Sequence, residues 1–166
     1  MIICKKPYYF AENGIGSLDF FLHVERVFID GYRNDLYPTG TLNIVSDGVF
    51  YPGRNFLLDL YNTVDDLKRT IQEVREKQKI IPDIGDLSIR RISEKGLFLA
   101  DIEDGVINLS FDAMCLYLIF DGEYERVFFG KTITDLRTMR EKKLMKGTLE
   151  DLIMALPDFL PKEAFV

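Results

Sequence analysis

The sequence has no tryptophan, a single histidine and only two cysteines, Cys4 and Cys115. With one imidazole and no Cys-x-x-Cys pair, a zinc site or a Cys-His dyad has little support. His23, inside "FFLHVERVF", is expected to be a packed strand residue. Two cysteines cannot build a disulfide framework, and Cys115 in "MCLYLIF" is expected as a buried, inert thiol. No apolar run approaches the roughly 18 residues of a membrane helix. At the start, Lys5 and Lys6 follow a very short apolar stretch, whereas a secretory signal places its lysines before a long one. A reducing, cytoplasmic location without membrane attachment is expected. Repeats, low-complexity tracts and Gly/Ser/Pro-rich linkers are also absent, so one domain over residues 1–166 is the simplest expectation. An excess of basic charge is missing too. The formal net charge is −6, and residues 93–130 alone carry eight acidic side chains against two basic ones. That distribution argues against a nucleic-acid partner and favours a basic protein.

Chemistry-bearing motifs are sparse. Gly14 and Gly16 in "ENGIGS" lack the helix and lysine of a phosphate loop, and no calcium-loop pattern occurs. A carboxylate pair of the glycosidase kind needs a sugar cleft, which nothing in the sequence marks. No catalytic residue, metal or cofactor is expected.

What is present is 47% hydrophobic and 29% charged, the balance of a globular protein with a sizeable core. "DFFLHVERVFID" (19–30) is aromatic and β-branched and predicts a strand. "TLNIVSDGVFYPG" (41–53) reads as strand, tight turn, strand and stop. In "NTVDDLKRTIQEVREKQ" (62–78), Val64, Leu67, Ile71 and Val74 recur at helical spacing, with Asn62 or Thr63 as cap and Asp65 and Asp66 in the first turn. From 87 to 129, short strands alternate with turns, predicting an antiparallel meander. Ile107, Leu109 and Phe111 alternate with polar neighbours, while 114–120 is apolar on both faces. After Lys131 two helices are expected. One is capped by Thr132 or Thr134, carries Leu136, Met139 and Leu144 and ends at Gly147. The other is capped by Thr148, with Asp151 at N3, and carries Leu149, Leu152, Ile153 and Leu156 before Pro157. The expected fold class is α+β, an antiparallel sheet packed by about three helices.

Three Asp-Gly pairs, at 47–48, 104–105 and 121–122, sit between strand-like runs, where a tight hairpin turn requires positive φ. In an up-and-down meander the turns at 104 and 121 share one end of the sheet, roughly 10 Å apart, or two interstrand spacings. Asp101, Glu103, Asp104, Asp121, Glu123 and Glu125 would then line one rim, with Tyr124 as an aromatic anchor. A rim of that kind is either a solvated loop edge or a field that steers a basic protein.

The order of apolar strand, Asp-Gly, short strand and Tyr-Pro, followed by a helix, a meander ending in "LIFDGEYERVFFGKTI" and a helical segment ending at Leu156-Pro157, resembles small bacterial immunity proteins. Among such proteins it resembles the immunity protein 42 family of contact-dependent and polymorphic toxin systems, over about residues 19–157. The resemblance implies a cytoplasmic protein that binds one toxin domain, often a nuclease, and blocks it without chemistry of its own. A nuclease presents Lys and Arg to phosphates, a surface that carboxylates can occupy. A generic interaction or scaffold module is the alternative.

Overall fold

The computed structural model describes residues 3–10, 19–29, 33, 36–53, 55–77, 79–80, 105–112, 114–131 and 139–161. The chain groups into two compact units, residues 1–68 with 151–166 and residues 69–150. Each unit holds its own antiparallel sheet, so the α+β expectation holds with two sheets in place of one.

In the first unit, β1 (Ile3–Phe10), β2 (Phe20–Ile29), β3 (Thr39–Ser46) and β4 (Val49–Tyr51) follow one another in space, and β5 (Leu58–Asp59) also pairs with β3. The β2–β3 register sets Leu22 opposite Ile44 and Val24 opposite Leu42 on one face, and His23 opposite Asn43 and Glu25 opposite Thr41 on the other. All eight side chains are buried, so both faces of this pair are covered. Asp47 and Gly48 take φ of 50° and 82° at the β3–β4 turn, the conformation that the Asp-Gly pair predicts. Pro52, which has no N–H to continue a ladder, then stops β4. The next amide, Gly53 N–H, donates to the Asn43 side-chain oxygen at 2.8 Å.

Helix α1 (Leu60–Val74) buries Leu60, Val64, Leu67 and Ile71 and exposes Asn62, Asp65, Asp66 and Glu73. It begins two residues before the expected start, and Asp59 is its cap: the Asp59 carboxylate accepts from Asn62 N–H at 3.0 Å and from Asn62 Nδ2 at 2.6 Å. Asp65 and Asp66 therefore lie beyond the first turn, which holds no acidic residue. The reason is tertiary. Asp59 is held against Thr39 by the β3–β5 ladder, and Leu60 N–H donates to Pro38 O at 2.8 Å. Gly40 fits this junction because it lacks a side chain. A Cβ there would stand 2.0 Å from Glu25 O and 2.7 Å from Leu60 Cδ1. Later in the chain, Lys68 donates to Leu156 O and pairs with the Asp158 carboxylate at 2.8 Å, tying residues 156–158 to α1.

In the second unit, β6 (Val106–Asn108), β7 (Cys115–Phe120), β8 (Tyr124–Gly130) and β9 (Arg140–Met145) form a four-stranded meander in sequence order. The predicted alternation holds for Ile107 and Leu109, which are buried while Asn108, Ser110 and Asp112 are exposed; Phe111 is half-buried. Strand β7 is buried from Leu116 to Phe120, as its non-alternating composition predicts, though Cys115 at its start is half-buried rather than buried. The helix expected to carry Leu136, Met139 and Leu144 is corrected over 140–145, which is strand; residues 132–138 lie outside the described residues. "REKKLM" has the composition of a helix surface, but β8 supplies a complete ladder for it, from Tyr124 opposite Met145 to Phe129 opposite Arg140. Gly147, with φ of 87°, is consequently a strand-to-helix turn and not a helix end.

Helix α2 (Thr148–Met154) follows. Two helices are thus found among the described residues, against about three expected, and neither is long and apolar enough to cross a membrane.

Candidate functional site

Of the seven rim residues expected from the sequence, Asp101, Glu103 and Asp104 lie outside the described residues. The other four fall on the β7–β8 hairpin, and each does something different there.

Asp121 shapes the turn. Its Oδ1 accepts from Glu123 N–H at 2.9 Å and Tyr124 N–H at 2.7 Å, while its own N–H donates to Tyr124 O at 3.1 Å. Gly122 supplies φ of 103° at the apex. The Tyr124 N–H, aided by Glu123 N–H and by the Arg126 and Lys143 cations, holds the Asp121 carboxyl below the usual carboxylate range, against the opposing effect of burial. The nearest guanidinium nitrogen of Arg126 is 3.7 Å from Asp121 Oδ2. Much of this carboxylate's charge is already answered within the hairpin.

Glu123 is exposed at the tip, and Tyr124 beside it is half-buried. The neighbouring Glu123 carboxylate pushes the Tyr124 hydroxyl above its ordinary value, first by charge and then by hydrogen bonding. The ammonium of Lys143, from β9, lies 4.3 Å from the centre of the Tyr124 ring. Next to it, Arg126 makes an ion pair with Glu141 and Lys146 lies 4.7 Å over the Phe120 ring.

Glu125 points inward. It is 5% exposed, and its carboxylate accepts from Gly147 N–H at 2.7 Å and from Leu149 N–H at 3.3 Å. It therefore caps the start of α2, the role expected of Thr148, whose hydroxyl instead donates to Met145 O at 2.7 Å. As a partner-facing carboxylate Glu125 is corrected: its oxygens are occupied inside the fold. The signal was present in the sequence, since Glu125 alternates in phase with Val127 and Phe129, both fully buried.

The tip of the hairpin is consequently mixed in charge rather than acidic. The β8–β9 register sets Met145 opposite Tyr124 and Lys143 opposite Arg126, which places the Lys143 cation beside the tip.

A second polar feature lies in the first unit, where His23, Glu25, Thr41 and Asn43 form a buried strip on one sheet face, each at most 3% exposed. His23 is a packed strand residue, as expected, with its ring edge-on to Phe50 at 5.2 Å and its Nε2 4.0 Å from Glu25 Oε1. Thr41 Oγ1 and Asn43 Nδ2 have no hydrogen-bond partner among the described residues. Such groups cost stability, and their burial keeps solvent and solutes from them. Among the described residues, no cluster of three or more His, Cys, Asp or Glu side chains is arranged to hold a metal ion.

Compared with family models, curated proteins and solved structures, the chain matches none. The hairpin tip is the feature from which function is argued.

Proposed function

We propose that this chain is an immunity-type protein that binds a cognate toxin domain and neutralises it without catalysis, through the tip of the β7–β8 hairpin. One observation carries the reading: Asp121 fixes the turn backbone by two side-chain hydrogen bonds, so that Glu123 and Tyr124 are presented in a set geometry. A preformed tip loses little conformational entropy on docking, and tyrosine is among the residues that dominate interface energies. The net charge of −6 favours approach of a basic domain, of which a nuclease-type toxin is the main instance. Local contact then falls to Glu123 and Tyr124, because Asp121 serves the turn and Glu125 serves α2.

The test is a calorimetric titration of the full chain against the toxin domain encoded immediately upstream, at about 50 mM and about 500 mM salt, conditions that change the Debye length several-fold. Nanomolar binding, weakened by salt and by Glu123→Lys and lost with Tyr124→Ala, is the expected result. No binding at either salt rejects the immunity reading and leaves a generic interaction module. Tight binding insensitive to both substitutions keeps immunity and removes the hairpin tip as its site.

A further inference from the structure

Two prolines, Pro157 and Pro161, bracket a short segment that follows α2. Proline cannot continue a helix, and the residue before it is biased towards extended backbone, so α2 does not run on through Leu156. Between the prolines, Phe159 takes a φ of 52°. Asp47 and Asp112 share that left-handed region, which aspartate tolerates, but in phenylalanine it crowds Cβ against the following carbonyl oxygen. Strain of this kind persists only where the surroundings impose it.

Two features impose it here. Leu156 is 2% exposed and Phe159 8%, so apolar burial draws the segment inward, while Leu160 is left 69% exposed. From α1, the Lys68 ammonium donates to Leu156 O and to the Asp158 carboxylate. We infer that residues 156–160 form a strained latch on α1, held shut by Lys68, which opens as a unit while the rest of the fold stays closed.

The opposing forces on the segment are close in size. The Lys68 side chain is 16% exposed, so its charge has lost most of its water, and the carboxylate it meets is itself 66% exposed and well hydrated. Opening rehydrates the ammonium and relaxes the Phe159 backbone; against it stands the burial of two apolar side chains. A short segment that stores strain and has few anchors belongs to the least stable parts of a fold. Once open, it presents Leu156 and Phe159 beside Leu160, an apolar stretch that the closed form conceals. The device does not depend on toxin neutralisation, because the latch opens in the isolated protein.

The test is amide relaxation dispersion on the isotopically labelled full chain, which reads the population and rate of a minor state. Leu156, Asp158, Phe159 and Leu160 should share one exchange process that Leu60 and Val64 in α1 lack. Lys68→Met keeps the stem of the side chain but leaves Leu156 O without its donor, and should raise the open population about ten-fold. Lys68→Gln, which retains a donor, should raise it less. Phe159→Ala and Phe159→Gly both remove the ring, and only alanine retains the strain, so the glycine variant should be about five-fold less open than the alanine one. Exchange shared with Leu60 and Val64, absence of exchange in both wild type and Lys68→Met, or a glycine variant as open as the alanine one would overturn the inference.

Discussion

Replacing Glu125 by alanine is the most direct test of its assigned place in the fold. The side chain is 5% exposed and its carboxylate answers two backbone donors at the entry to α2. Hydrogen bonds to a charged group contribute about 1.5–3 kcal/mol each, but the Leu149 contact at 3.3 Å is long and earns only a small part of that. Relief of the buried carboxylate's desolvation offsets some of the loss, while the one removed methylene adds about 0.8 kcal/mol. The net expectation for Glu125→Ala is a destabilisation of about 2–3 kcal/mol, within the range of a lost cap plus a small cavity. For a chain of this size that lowers Tm by about 5–10 °C. Glu125→Gln, which keeps one acceptor oxygen, should cost about half as much. Urea unfolding followed by circular dichroism measures both, with exposed Glu123→Ala as the control, expected within about 0.5 kcal/mol of wild type. If Glu125→Ala were no more destabilising than Glu123→Ala, the inward capping role would be refuted and Glu125 would return to the surface as a partner contact.

Three further outcomes are expected. Asp121 is held below the usual carboxylate range, so its ionised form stabilises the fold above its unfolded pKa of about 3.9, and that contribution disappears as pH falls through the lower folded value. Urea midpoints of wild type and Asp121→Asn should therefore differ near neutrality and converge in acid; a constant difference across pH would contradict the turn geometry. Gly40→Ala, whose Cβ would meet a backbone oxygen at 2.0 Å, should lose about 3 kcal/mol or more, or fail to accumulate as folded protein, by thermal melting. Thr41→Val removes a buried hydroxyl that has no partner among the described residues; it should leave stability unchanged or raise it by up to about 1 kcal/mol, and a clear loss would show that the hydroxyl is hydrogen-bonded.

How much was legible in the sequence varied with the kind of signal. Strands β2, β3, β7 and β8, the Asp47-Gly48 turn and the apolar stripe of α1 follow from local periodicity and turn chemistry, and they appear where those rules put them. Both helix caps were misassigned. In each case a side chain fixed by a strand ladder, Asp59 on β5 and Glu125 on β8, reached the orphan amides before the local Asn62, Thr63 or Thr148.

The candidate site divides the same way. That Asp121, Glu123 and Tyr124 share one turn was readable, because Asp-Gly between apolar runs forces a hairpin there. Its electrostatics were not. Residues 140–145 carry no alternation strong enough to announce a strand, and only pairing with β8 extends them beside the hairpin, bringing Lys143 onto Tyr124 and Glu141 onto Arg126. Which segments bend and which run straight was written locally, since backbone preference and hydrophobic period act over a few residues. Tertiary structure alone decided which carboxylates face a partner and which serve the fold, since that depends on donors and cations as many as 24 residues away along the chain.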